Sequence, residues 1–586
     1  MKEMNRWDLT VLYNGFDDPK DSEDEAALST LIAEAAALAE GSGELSDGEL
    51  IRKYIALSER INTLAGDLII YANLSYSQNT ADTKAASALG RVMSLVSGFA
   101  APDAIVKARI AEVSDLDALI DSEGLSEYEY FLKSIKRDAS HLLSDKEEAM
   151  LSKLSISGAN AWSDLQSSLT SSLKVKHNGE ELTLSSIRNL AYSPDPEIRR
   201  SAYEAELASY EGIKESVAFA LNSIKQQVIT ECELRGYTSP LDKALSDSRM
   251  KRETLDALIG AMEEYLPVFR RYLRAKAKAL GHKGALPWYD LFAPMGASDK
   301  TYTVKEARDY LLGIFEKFDS SLYDLVKEAF DEGWIDFYPR EGKVGGAFDC
   351  GIASKGVSRV LTNFDGSFSD IVTLAHELGH SFHDRQVFGN SPLNQEYSMP
   401  VAETASTFNE VLIMETAIRE ATDKNEKLML IESQLMDANQ IITDIYSRFV
   451  FERSVFDNRK SEFMSADRLS ELMLAAQEAA YGDGLDKDVR HPFMWLCKGH
   501  YYSGGLSFYN FPYAFGGLFA RGLFAKYKAE GRTFIDTYKK LLNLTGMSDV
   551  EETAAVAGID LTKREFWKAG LDTIAEQIEE FIKLVG

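Results

Sequence analysis

Along most of the 586-residue chain, apolar residues return every third or fourth position, the period of a helix with one buried face. In DEAALSTLIAEAAALAEG this period is clear, and the turn-rich GSGELSDGE closes it. The stretch from Leu50 to Leu95 repeats the pattern. Residues 25–110 therefore read as antiparallel helices that bury their apolar faces on one another and serve as scaffold. Residues 141–170 also predict helix, with Ser144 ahead of an acidic first turn (Asp145, Glu147, Glu148). Next comes a change of period. LKVK and EELTL flank His177-Asn178-Gly179, and Asn-Gly between short strands predicts a hairpin. Tyr192-Ser193-Pro194-Asp195-Pro196 then breaks the chain; Asp195 suits an N-cap and Pro196 the first helical position. Helix follows to about residue 333, interrupted at GYTSPLD and at GHKGALPWYDLFAPMGASD. IDFYPR, GGAFDCGI and SRVLTNF, between 334 and 365, are short, rich in β-formers and punctuated by glycine, and they predict a small sheet. Beyond 367 the pattern is helical to the end, except for a Gly- and aromatic-rich loop at 499–517. The fold class expected is mainly α, with a small β-sheet.

Composition narrows the picture. The length exceeds what one hydrophobic core serves, so at least two structural units are expected. A hydrophobic share of 45% and a charged share of 27% belong to a folded globular chain, and only 13 prolines leave room for long helices. The net charge of −28 argues against nucleic acid or an anionic membrane as partner. Three scattered cysteines, Cys232, Cys350 and Cys497, suggest no disulfide framework and fit a reducing, cytoplasmic setting. The first 25 residues lack a basic region followed by an apolar run, and no window holds 18 consecutive apolar residues, so neither a signal peptide nor a membrane span is expected.

The chemistry concentrates in Ser369-Asp-Ile-Val-Thr-Leu-Ala-His376-Glu377-Leu-Gly-His380-Ser-Phe-His383. Histidines at i and i+4 lie one turn apart on one helix face, so His376 and His380 can meet one metal ion. Glu377, from an adjacent position, can reach a water activated by that ion. Ile371, Leu374, Ala375, Leu378 and Phe382 cluster on one side, leaving His376, His380 and His383 on the other, and Ser369 or Asp370 can cap the helix. Three of the chain's eight histidines fall within these eight residues. A catalytic zinc takes three protein ligands and keeps a position for water. The His-x-x-Gly-x-x-His continuation is excluded, because position 383 is His and 386 is Gln. Glu396, Glu403 and Glu410 remain as third ligands. Glu403 and Glu410 share a face of the helix predicted from Met399, but about 10 Å separates them along its axis, so only one can bind the ion. Spacing favours Glu403 slightly, and the other would be a partner of the ligands or a plain surface carboxylate.

With HELGH followed by Ala402-Glu403-Thr404-Ala405-Ser406, the sequence resembles the oligoendopeptidase F branch of the thimet oligopeptidase family of zinc peptidases. Arg6-Trp7-Asp8-Leu9, Asp195-Pro196-Glu197-Ile198-Arg199 and Tyr289-Asp290-Leu291-Phe292-Ala293-Pro294 extend the resemblance over nearly the whole chain. It implies Glu403 as third ligand to one Zn2+ per chain, two helical halves flanking a deep cleft, and a strand near Gly345-Gly346-Ala347-Phe348 that pairs with extended substrate. It also implies three parts: 1–110 and 111–195, both N-terminal, and 196–586, the zinc peptidase domain. In His500-Tyr501-Tyr502-Ser503-Gly504-Gly505-Leu506-Ser507-Phe508-Tyr509-Asn510-Phe511-Pro512-Tyr513, the bare residues fit an aromatic core as well as an oxyanion-binding loop. The resemblance implies His500 with Tyr513 or Tyr509 as substrate-contacting donors. Phe511 and Pro512 depart from the branch pattern, which has Tyr and Gln there, and leave open which tyrosine is the donor. The function expected is a zinc endopeptidase of short peptides with Glu377 as general base. A non-catalytic peptide-binding scaffold and an exopeptidase are the rivals. His141, His177, His282 and His491 carry no partner pattern.

Overall fold

The computed structural model describes residues 6–586; the first five residues of the predicted N-terminal part lie outside the described residues. The architecture is mainly helical, with two small sheets. Near the N-terminus, α1 (Pro19–Glu40) and α2 (Asp47–Gln78) pack together, and α3 (Thr83–Ser97) and α4 (Ala100–Ala111) lie against them. Asp18, Ser46 and Asp82 cap the first three by accepting bonds from backbone N–H groups of their first turns. Within Thr83–Ala111 the most apolar 18-residue window has a mean hydropathy of 1.3, and only 17% of that window is buried. Yet α3 and α4 are separate helices of 15 and 12 residues, and a membrane span needs roughly 20 in one run.

The predicted hairpin forms from β1 (Lys174–His177) and β2 (Glu180–Thr183), paired antiparallel with Val175 opposite Leu182. Asn178 and Gly179 both adopt positive φ (50° and 85°), which is why Asn-Gly stands there. The second sheet is the seam of the molecule. Its order is β3 (Ile335–Asp336), β5 (Val357–Leu361), β4 (Phe348–Ile352), with β3 parallel and β4 antiparallel to the central β5. Ile352 and Leu361 are buried with Trp7, Tyr13 and Tyr71 of the N-terminal layer, whereas Val360 joins the large core shared by the C-terminal helices. β4 thus lies between the N-terminal helices and the next element, α5 (Phe368–Val387).

α5 carries the histidine motif. It starts one turn before the cap positions expected at Ser369 or Asp370. Ser367 is the N-cap, and Ser367 and Asp370 form a reciprocal capping box. α6 (Thr404–Glu420) crosses α5, and α7 (Lys424–Asn439), α8 (Phe511–Glu530) and α9 (Arg564–Val585) complete the surrounding bundle. The helix predicted from Met399 is divided. A short turn, Met399–Ala402, ends at Glu403, whose backbone leaves helical geometry before α6 begins.

Candidate metal centre

Ile371, Leu374, Ala375 and Leu378 are fully buried on the core side of α5, which points His376 and His380 toward α6. The crossing is close because position 379 is glycine. A Cβ at Gly379 would stand 2.5 Å from the Cα of Ser406 and 2.7 Å from the carbonyl oxygen of Ala405. That approach brings Glu403 to the histidines. His376 Nε2 lies 3.2 Å from His380 Nε2, and Glu403 Oε2 lies 3.3 Å from the first and 3.4 Å from the second. Three ligand atoms each about 2.0–2.1 Å from one zinc ion in tetrahedral array would be about 3.3–3.4 Å apart. The donor set, two imidazoles and a carboxylate, and its spacing fit such an ion. Among the described residues this is the one group of three or more His, Cys, Asp or Glu so disposed.

The surrounding bonds aim these donors. Glu410 accepts a 2.7 Å hydrogen bond from His376 Nδ1, which leaves Nε2 as the ring nitrogen that faces the ion site. Glu410, one of the three candidate ligands, is therefore the orienting partner, and Glu396 is not in the group. Ser406 donates to Glu403 Oε2 at 2.9 Å, one turn along from the ligand. Burial works against a charged Glu403, but His380 and His376 override it and hold the carboxyl down to about 2. Burial likewise opposes a charged His376, and Glu410 overrides it, raising the imidazole to about 9. Glu377 is 6% exposed, and its carboxyl is pushed up, chiefly by burial.

His383 does not join the centre. It lies one turn beyond His380, wholly buried, stacked on Tyr397 at 4.2 Å, with Nε2 bonded to Thr545 Oγ1 at 2.8 Å. Sharing a helix face with His376 is not enough, since roughly 10 Å of helix rise separates i from i+7. Next to it, Ser381 pins α5 to β4 by donating to Asp349 at 2.6 Å, and Asp384 of α5 accepts from Tyr397, in the segment after the helix, at 2.9 Å. Burial first, and mutual repulsion second, raises Asp349 well above the carboxylate range. This pinning passed unseen in the sequence, since nothing local marks Asp349 or Asp384 as partners.

The aromatic segment divides. Tyr501, Tyr502 and Phe508 are core residues, as an ordinary aromatic cluster would be, while Tyr513 is 39% exposed. Phe508 adopts φ +54°, an uncommon backbone for a bulky residue, and is held there between Phe449 and Phe456. Asn510 donates to Glu452, which is ion-paired with the buried Lys225. After this anchor, α8 runs beside the metal group: a Cβ on Gly516 would sit 3.3 Å from the Cβ of Glu403. Tyr513, three residues earlier, shares that face, and its hydroxyl donates to Tyr509 at 3.3 Å. His500 makes no bond to the metal group or to these tyrosines, and its Nε2 is buried without a partner. Burial, then Arg448 and Lys498, pushes its imidazole down to about 3, so it is neutral. The remaining histidines have structural partners: His141 stacks on Tyr237, and His177, His282 and His491 bond to Ser201, Asp290 and Glu206.

Known proteins share this arrangement of chain. The family described as Peptidase family M3 matches residues 189–573, and that described as Oligopeptidase F matches residues 112–174. Oligopeptidase PepF of Bacillus subtilis is 24% identical, covering 94% of this chain and 83% of its own. The oligoendopeptidase F homolog of Lactococcus lactis is 25% identical, covering 99% and 97%. A crystal structure from Chlamydophila abortus superposes with a TM-score of 0.86 at 23% identity, over 100% of this chain and 99% of that one. Oligoendopeptidase-F of Enterococcus faecium superposes with a TM-score of 0.70 at 19% identity, over 96% and 98%.

Proposed function

As the chain belongs to peptidase family M3, and is thus a peptidase of a metal-dependent family, we propose that it is a zinc endopeptidase that cuts internal bonds of short peptides. The observation that carries this reading is the convergence of His376, His380 and Glu403 to donor separations of 3.2–3.4 Å. These three would hold the zinc, one per chain, with Glu410 and Ser406 keeping His376 and Glu403 aimed. When bound, zinc supplies Lewis acidity, lowering the pKa of water to about 7 and polarising the scissile carbonyl.

Glu377 acts as the base. Burial has already raised its affinity for a proton, so it can take one from the attacking water and hand it to the leaving amine. With substrate present the Tyr513 O–H turns from Tyr509, to which it donates in the free protein, to the carbonyl oxygen as that atom gains charge, and the Tyr509 hydroxyl can then donate to Tyr513. His500, held neutral, is a further N–H donor that burdens the site with no charge. β4, at the edge of its sheet, offers a row of backbone groups with which an extended peptide can pair. The three free cysteines support a reducing, cytoplasmic location.

Elemental analysis tests the ligand assignment. Wild-type protein is expected to carry one zinc per chain and Glu403→Ala almost none; full zinc content in that variant would remove Glu403 from the site.

A further inference from the structure

A cavity of about 220 Å³ lies apart from the metal group, none of whose residues lines it. Its charges run against the character of the chain. Arg188, Arg448 and Lys498 line it with Glu206 and Asp444, three cations to two carboxylates, in a protein of net charge −28. The fourth cation on its wall, Arg199, is taken up by Asp290 at 2.8 Å. Of the remaining three, Arg448 pairs with Asp444, and Arg188 pairs with Glu206 at 3.7 Å and donates to the Cys497 sulfur. That exhausts the carboxylates of the lining. The Lys498 ammonium has no hydrogen-bond or ion-pair partner among the described residues, and Arg448 Nε is buried without a partner. Burial, then the neighbouring charge of Arg448, lowers the Lys498 amine, the mark of a cation short of counter-charge.

The rest of the lining is largely apolar and aromatic: the Tyr192 and Phe292 rings lie 5.1 Å apart, Tyr203 and Tyr289 5.9 Å apart, and Trp288 joins them. Tyr192 is half exposed at the mouth. Cations and aromatic rings lining one cavity suit an organic carboxylate better than a bare inorganic ion. The cavity is tied to the centre along the chain. Lys498 precedes His500 by two residues, and Met436 and Asn439, also on the wall, flank Asp437, whose carboxyl senses Glu410.

We propose that this cavity is a carboxylate-binding site in which Lys498, with Arg448 and Arg188, receives an anion bearing an apolar or aromatic group. The chemistry is that of a peptide's free C-terminus, or of a separate small organic acid. The first source rests on the peptidase reading above; the site itself does not.

The test uses metal-loaded protein and N-acetylphenylalanine as probe, with its amide as control at constant ionic strength. The acid is expected to raise the thermal midpoint of the wild type and the amide to leave it unchanged. Lys498→Met should weaken binding about ten- to a hundredfold, and Lys498→Arg should retain most of it. The arginine variant separates loss of charge from loss of folding. A midpoint rise that persists undiminished in Lys498→Met, or no rise in the wild type, would overturn the proposal. Cleavage of one peptide as free acid and as C-terminal amide then identifies the source. If Lys498→Met erases a wild-type preference for the acid in kcat/KM, the ligand is the substrate terminus. If acid binding is lost while that ratio is unchanged, the ligand is a separate acid.

Discussion

The helix that presents His376, Glu377 and His380 and the segment that carries His500, Tyr509 and Tyr513 are held in place by different physical means. α5 is a continuous helix, capped at Ser367, buried on one side and pressed onto α6 at Gly379, so its donors are aimed before any ion arrives. The 499–513 segment has no such lattice of backbone bonds. A left-handed Phe508, the Gly504-Gly505 pair and two polar anchors, Tyr502 to the Trp495 carbonyl and Asn510 to Glu452, fix its course. Rigid placement suits metal ligands, which must hold separations to a few tenths of an ångström. A lightly anchored loop suits donors that need engage only when substrate is present.

The sharpest way to break this contrast is at the base. Glu377→Gln is expected to keep its zinc and lose about 10²–10⁴ in turnover, because the carboxylate touches the proton and not the ion. Near wild-type turnover in a zinc-loaded variant would remove Glu377 from that role. On the loop side, Tyr513→Phe should lower kcat about 10²–10³-fold with little change in KM, and Tyr509→Phe should cost less. Equal losses would mean that both hydroxyls contact the transition state. Glu410→Ala should weaken zinc affinity about 10–100-fold, less than Glu403→Ala, and competition with a chromogenic chelator gives both values. The reverse order would exchange ligand and orienting partner.

Smaller effects test the packing. Gly379→Ala forces a methyl group against backbone of Ser406 and Ala405, so it should lower stability by about 1–3 kcal/mol or more and reduce zinc retention along with it. A fully stable variant would show that the helix crossing has slack. His383 supplies a pH test. Burial lowers it from 6.5 to about 3, so the neutral form is the one that folds. Its contribution is complete above pH 6.5 and is lost as pH falls from there toward 3. Between pH 7 and 5, the thermal midpoint of metal-free His383→Gln should fall less than that of the metal-free wild type; parallel curves would contradict this.

The same contrast explains what was legible in the sequence. His376, Glu377 and His380 could be read because five consecutive residues on one helix contain the whole geometric requirement. Glu403 needed more, since spacing alone left it nearly level with Glu410; the resemblance chose it, and the role of Glu410 emerged only with the 2.7 Å bond to His376. The hairpin at Asn178-Gly179 and the sheet between 334 and 365 were legible from turn chemistry and β-formers. Two local details were not. The cap moved to Ser367 because a reciprocal bond with Asp370 outweighs the nearer polar residues. His383 sits on the expected face but meets Thr545, a neighbour 162 positions away, which no local pattern reports. The aromatic segment was ambiguous for a sound reason. It is both things at once, core at Tyr501 and Tyr502 and half-open at Tyr513, and the contact that sets its path spans 58 residues.

The most direct test of the central claim is hydrolysis of an internally quenched peptide of about ten residues, blocked at both ends, before and after removal of metal by a chelator. Cleavage at an internal bond that vanishes on chelation and returns with one equivalent of zinc is the result expected of a zinc endopeptidase. Cleavage that continues without metal, or none from zinc-loaded protein that still trims unblocked peptides, would contradict it.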